Sequence, residues 1–249
     1  MHSNTIALVT EANKGIGLQI ARELAEKGFI VLIGARRIEA GKAAAETIGG
    51  EARAIQLDVT DQDSIDGAAR YIRDTFGHLD VLVNNVGITH TGRPGRTMEE
   101  VVQSGLLSRV SLDEVRSVFE TNVFGVIAVT QAMLGLLRKA PAGRIVNMSS
   151  TNGSLTLNTD PSNDFRHIAG VYAASKTALN AVTLALAIEL ESTAVKVNAA
   201  CPGFTATDIN NFSGTGTLED AAREPVRLAL LDNEGPTGTF SNTQGIIPW

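Results

Sequence analysis

The chain of 249 residues holds a single cysteine, Cys201, which rules out an internal disulfide and a cysteine-built metal cage. Aromatic residues are only 4% of the whole, too few for a base-stacking nucleic-acid platform. Basic residues are outnumbered, 21 Lys and Arg against 27 Asp and Glu, and the net charge of -6 disfavours a polyanionic partner. On reading the sequence, no apolar run reaches the roughly 20 residues of a membrane helix. Met1 to Ile6 shows no charged-then-apolar leader, so a cytoplasmic chain without membrane or nucleic-acid partners is expected. What is plentiful is glycine, 24 residues, together with 43% hydrophobic residues. That composition suits one α/β domain spanning 1–249, with tight turns and a full core.

Short Val/Ile-rich runs alternate with segments of helical period. Strands are expected at Ile6–Val9, Ile30–Ile33, Ala54–Leu57, Val81–Val83, Ile145–Met148 and Val195–Asn198. Helices are expected at Ile16–Lys27, Glu39–Ile48, Asp61–Phe76, Leu112–Lys139 and Tyr172–Leu190. The strand runs are continuously apolar, as when helices cover both faces of a sheet. The fold class is therefore a Rossmann-type, doubly wound parallel sheet of about seven strands. Segments Ile88–Val110, Thr151–Ile168 and Phe204–Gly216 fit the alternation poorly. Each follows the carboxyl end of a strand, where open sheets bind ligands, and together they are the candidate substrate pocket.

After the first strand, Thr10-Glu11-Ala12-Asn13-Lys14-Gly15-Ile16-Gly17 lets bare backbone approach a pyrophosphate at a helix N-terminus. Plain turn chemistry would explain the same glycines. The second strand ends Gly34-Ala35-Arg36-Arg37, without the carboxylate that usually accepts from a ribose 2′-hydroxyl. Arg36 and Lys14 would instead pair with a 2′-phosphate, pointing to NADPH. The alternative is that both are solvated surface charges. Asp58-Val59 would lie near the adenine and Asn84-Asn85-Val86-Gly87 along the ribose, although Asn-rich strand ends also serve as structural punctuation. Tyr172 and Lys176, four apart, project from one helix face, where an ammonium would lower the tyrosine pKa toward a working range.

In this order the motifs resemble those of the short-chain dehydrogenases/reductases, and among them the NADPH-dependent carbonyl reductases. The resemblance runs nearly end to end. It rests on Thr10…Gly15-Ile16-Gly17, Asp58-Val59, Asn84–Gly87, Asn122, Gly143–Ser150, Tyr172…Lys176 and Pro202-Gly203. It implies reduction of a small-molecule ketone or aldehyde by hydride from NADPH, with no metal. Tyr172 would be the proton donor, and Lys176 would tune it and hold the nicotinamide ribose. Ser150 would polarise the carbonyl, and Asn122 would support a proton relay through water. The family places the serine second in the Ser149-Ser150 pair; physical reasoning alone leaves the two open. Pro202-Gly203 would pack on the nicotinamide, with Thr205 or Thr207 touching its amide or phosphate. Thr10, Asn13, Lys14, Gly15, Ile16, Gly17, Arg36, Asp58, Val59, Asn85 and Gly87 complete the implied cofactor site.

Two departures stand out. Glu11 replaces the family's usual glycine, so strain and a carboxylate near the phosphates are expected to weaken cofactor binding. The Ser150–Tyr172 segment is long, which suggests a monomer or a loose homodimer. His90 and His167 are read as surface or loop-packing residues, and Asp160, Asp164 and Arg166 as a solvated loop. Cys201 is read as a small buried residue. Rival readings are an alcohol-oxidising enzyme for a steroid, quinone or other metabolite, and a nucleotide sensor without catalysis. Four retained catalytic groups count against the sensor.

Overall fold

A computed structural model describes residues 5–92, 96–163, 165–168 and 170–249, apart from the side chains of Met98 and His167. The strands are β1 (Ile6–Val9), β2 (Ile30–Ala35), β3 (Arg53–Gln56), β4 (Val81–Asn84), β5 (Arg144–Met148), β6 (Lys196–Ala200), β7 (Phe240–Asn242) and β8 (Gly245–Ile246). They form one sheet in the order β3-β2-β1-β4-β5-β6-β7-β8. All neighbours are parallel except β7 and β8, which pair antiparallel. The expected sheet is therefore present, with an eighth strand at its edge. The chain order reverses between β1 and β4, and a crevice opens there beyond their carboxyl ends.

Continuous apolar strands feed two cores. Along β1, Ile6 and Leu8 join one cluster while Ala7 and Val9 join the other. The first cluster is closed by α3 (Gln62–Thr75), α6 (Gly125–Leu137) and α8 (Val171–Glu189). The second is closed by α1 (Gly15–Glu26), α2 (Ile38–Ile48) and α9 (Leu218–Ala229). Short helices α4 (Met98–Gly105) and α7 (Leu155–Thr159) lie in two of the expected pocket segments.

The expected helix over Leu112–Lys139 is three pieces in line: α5 (Leu112–Phe119), a π turn at Glu120–Phe124, and α6. In the turn, Gly125 N–H reaches back to the Glu120 carbonyl, one residue further than α-helical bonding. Gly125 is needed there, because a Cβ would stand 2.7 Å from the Val59 carbonyl oxygen. By length and composition, Leu112–Leu137 and Val171–Glu189 are apolar enough to cross a membrane, a correction to the sequence reading. Val129, Met133 and Leu179 of these helices are packed into the first core cluster, while Leu112, Phe124 and Ile188 are exposed.

Candidate active site

The cavity above β4, β5 and β6 has a volume of about 300 Å³ and is walled by all three expected segments. Thr89, Val101 and Gly105 come from the first, Asn152, Phe165 and Ile168 from the second, and Phe204, Thr207 and Ile209 from the third. Phe165 and Phe204 lean together at the rim, with ring centroids 6.1 Å apart. His90 is not part of the wall. Its Nδ1 accepts from Gly92 N–H at 3.0 Å, and burial lowers its pKa. The His167 side chain and Asp164 lie outside the described residues.

Ser150, Tyr172 and Lys176 share this wall. The two serines left open by sequence separate here. Both serines border the cavity, but Ser149 is buried and donates to Asn180 Oδ1 at 2.6 Å, whereas Ser150 is close enough to Tyr172 to influence its titration. Ser150 Oγ also accepts from Asn152 N–H. Lys176, 2% exposed, donates from Nζ to the Met148 carbonyl at 2.7 Å. Gly87 makes room for it, since a Cβ there would meet Nζ at 3.2 Å.

The expected lowering of the Tyr172 pKa is corrected. Burial raises it strongly and Cys201 adds to the rise, while the Ser150 bond lowers it only in part. Lys176 Nζ is turned to Met148 and stands 5.8 Å from the tyrosine ring centroid. Burial in turn lowers the Lys176 pKa to about 8. A buried cation without a carboxylate partner yields its proton more readily. Cys201 is buried with its thiol pKa raised by burial, as read from sequence.

Asn122 sits in the π turn and is fully buried. Its Oδ1 accepts from Ile88 N–H at 2.8 Å, and its Nδ2 donates to the Ile88 carbonyl and to Ser175 Oγ. Asn122 therefore ties the segment after β4 to α8. Ser175, which donates to the Tyr172 carbonyl, was not foreseen; its only sequence signal is a polar residue three after Tyr172.

At the crevice, Thr10 is fully buried, and its Oγ1 accepts from Asn85 N–H and Val86 N–H. Asn85 Nδ2 donates back to the Thr10 and Glu11 carbonyls. Gly17 is required by close approach, for a Cβ would stand 2.5 Å from Asn85 Nδ2. Lys14, the residue before α1, makes no side-chain cap for the first turn, and Ile16 borders the cavity. Gly15, at φ 57°, faces open space, and Asn13 is half-buried beside it. This uncapped helix end with its bare glycine fits a pyrophosphate. Asp58 is occupied locally, accepting from Thr60 N–H and Oγ1, and Val59 is core. Pro202 and Gly203 line the cavity, and Thr205 Oγ1 donates to the Pro202 carbonyl.

Lys14 and Arg36 do not converge on one spot. Lys14 pairs with Asp208, and Arg36 Nε donates to Glu11 Oε1 at 2.7 Å. Glu11 takes φ 51°, a left-handed backbone that costs a residue with a Cβ roughly 1–2 kcal/mol. The strain expected from sequence is thus present, held in place by the Asn85 bond and the Arg36 pair.

Residues 5–217 match the family described as short chain dehydrogenase. The chain belongs to the short-chain dehydrogenase/reductase family. It is 34% identical to (-)-isopiperitenone reductase of Mentha piperita, covering 94% of this chain and 95% of that protein. The structure superposes on salutaridine reductase from Papaver somniferum with a TM-score of 0.80 at 27% identity, covering 95% and 99% of the two chains. It also matches 3-ketoacyl-(acyl-carrier-protein) reductase from Brucella melitensis complexed with NADH, with a TM-score of 0.79 at 25% identity and 98% of each chain. The chain is therefore an oxidoreductase of a family that uses a nicotinamide nucleotide as redox partner.

Proposed function

We propose that this oxidoreductase reduces ketones or aldehydes to alcohols, with Tyr172 as proton donor and NADPH as the preferred reductant. The observation that carries the reading is the Ser150–Tyr172–Lys176 group on one wall of a mainly apolar cavity. NADPH, when bound, supplies the hydride that reduces the carbonyl carbon. Tyr172 gives its proton to the carbonyl oxygen, and its raised pKa keeps the phenol protonated at neutral pH, the form a donor needs. Ser150 holds that oxygen through Oγ. Lys176, with its lowered pKa, is placed to bind ribose hydroxyls and to return a proton to Tyr172. Asn122 positions α8 through Ser175. Arg36 would be the basic side chain for a 2′-phosphate, Gly15 and Gly17 would give the pyrophosphate its bare backbone, and Thr205 or Thr207 would reach the nicotinamide amide.

The direction agrees with the mint and poppy relatives, both named as reductases. We place the enzyme in the cytoplasm, as a monomer or loose homodimer. The test is consumption of NADPH, with NADH in parallel, across aryl ketones, keto esters, quinones and steroids. Tyr172→Phe is expected to abolish turnover while leaving nucleotide binding nearly intact. Turnover that survives in Tyr172→Phe overturns the mechanism.

A further inference from the structure

We infer that Glu11 sets the choice between the two nicotinamide nucleotides, narrowing the preference for NADPH enough for NADH to serve as well. The inference rests on the cofactor cleft assigned above. Sequence alone finds no acid at the end of β2 to accept from a ribose 2′-hydroxyl, and it assigns two basic residues to a 2′-phosphate. The structure changes both counts. A carboxylate does stand at the end of β2, delivered from the β1 loop. Ala12 N–H bonds the Gly34 carbonyl, which lays the loop against β2, and Glu11 reaches Arg36 beside it. Glu11 Oε1 takes Arg36 Nε, leaving Oε2 as an acceptor for a hydroxyl.

The charge available to a phosphate falls accordingly. Arg36 is matched by Glu11, and Lys14 is matched by Asp208. Those four side chains sum to zero and leave Arg37 as the remaining cation of this stretch, so a 2′-phosphate dianion would meet an Arg36 already paired and the Glu11 carboxylate beside it. A 2′-hydroxyl meets an acceptor and loses nothing by it. The loop holds Glu11 in this pose through its main chain, since Asn85 Nδ2 donates to the Glu11 carbonyl and Gly17 lets Asn85 approach. A charge change at residue 11 keeps this main-chain anchor but gives up the ion pair to Arg36, so it both frees that guanidinium and changes what the ribose meets.

The experiment is titration of wild type, Glu11→Gln, Glu11→Gly and Arg36→Ala with NADPH and with NADH, followed by nucleotide fluorescence in the absence of substrate. Wild type is expected to bind the two with dissociation constants within about tenfold. Glu11→Gln, which keeps shape and removes charge, is expected to tighten NADPH about tenfold and to change NADH less than about threefold. Glu11→Gly frees the backbone for both nucleotides alike, so the NADPH-to-NADH ratio is the quantity read, and it should shift the same way. Arg36→Ala should cost more NADPH affinity in the Glu11→Gln background than in wild type. An unchanged ratio in both Glu11 variants overturns the inference and leaves the reductase reading standing. Wild type binding neither nucleotide overturns both.

Discussion

Lys176 Nζ is bonded at 2.7 Å to the carbonyl of Met148, the last residue of β5, so the cation of the site is anchored to the sheet before any ligand arrives. The anchor fixes the ammonium beside the cavity, and burial brings its pKa down to about 8. In the unfolded chain a lysine titrates near 10.5. Between those values the unfolded state binds more protons than the folded one. Stability therefore rises with pH through that window, and below pH 8 the full penalty of burying the charge is present.

Lys176→Met removes this dependence. The wild-type-minus-variant difference in unfolding free energy should grow in favour of wild type by roughly 3 kcal/mol from pH 7 to pH 10.5. Denaturant titrations at several pH values measure it. Cys201 is electrostatically coupled to Lys176, so both proteins are compared in a Cys201→Ala background, which removes its opposing titration. A flat difference would mean that Lys176 is not desolvated as described.

The serine pair should divide cleanly between chemistry and stability. Ser150→Ala is expected to lower turnover about 10²-fold or more with an unchanged melting temperature. Ser149→Ala leaves Asn180 Oδ1 without its buried donor and should cost about 1–3 kcal/mol of stability. Steady-state kinetics and thermal unfolding of the two variants decide it. A reversed pattern would put the carbonyl at Ser149.

Gly87→Ala places a methyl group 3.2 Å from Lys176 Nζ. The flexible end of a lysine yields at little cost in stability but moves off its mark. We expect kcat/KM to fall about tenfold, the scale of a sub-ångström misplacement, with a small change in melting temperature. Activity equal to wild type would show that the ammonium has slack.

Phe204 and Phe165 meet at the rim. Phe204→Ala should raise KM for bulky apolar ketones and leave small ketones nearly unchanged, because only the larger molecules reach the rim. Michaelis constants over a size series give the answer. A uniform rise across the series would point to a disturbed cavity floor instead.

Much of this was legible in the chain. Period and composition located six strands and five of the longer helices, because β1 and β2 are unbroken apolar runs and β4, β5 and β6 are broken only by an Asn and a leading Arg or Lys. The three pocket segments were visible as breaks in that alternation. What escaped was short or disguised. β7 and β8 are three and two residues long, below any periodic signal. α9 carries Pro225 and several charges, which mask its Thr217 cap bonded to Asp220 N–H. Distances between side chains escaped too. That Arg36 serves Glu11, and that Lys176 Nζ lies over the Tyr172 ring while donating to Met148, follows from packing and is written nowhere in spacing. The Ser149/Ser150 choice needed Asn180, which lies 31 residues away.

The π turn at Glu120–Phe124 is a length, and lengths constrain a gene differently from residues. It holds one residue more than an α-helix of the same rise would use, and that surplus is what lets Asn122 face Ile88 and Ser175 at once. Deleting one of the other residues there would restore a regular helix, with α5 and α6 still in phase, and would remove the wide turn that aims Asn122. Asn122 would leave its partners even though every amino acid of the site remained. In this stretch, substitutions can be sampled one at a time, whereas a three-base deletion has no gradual path.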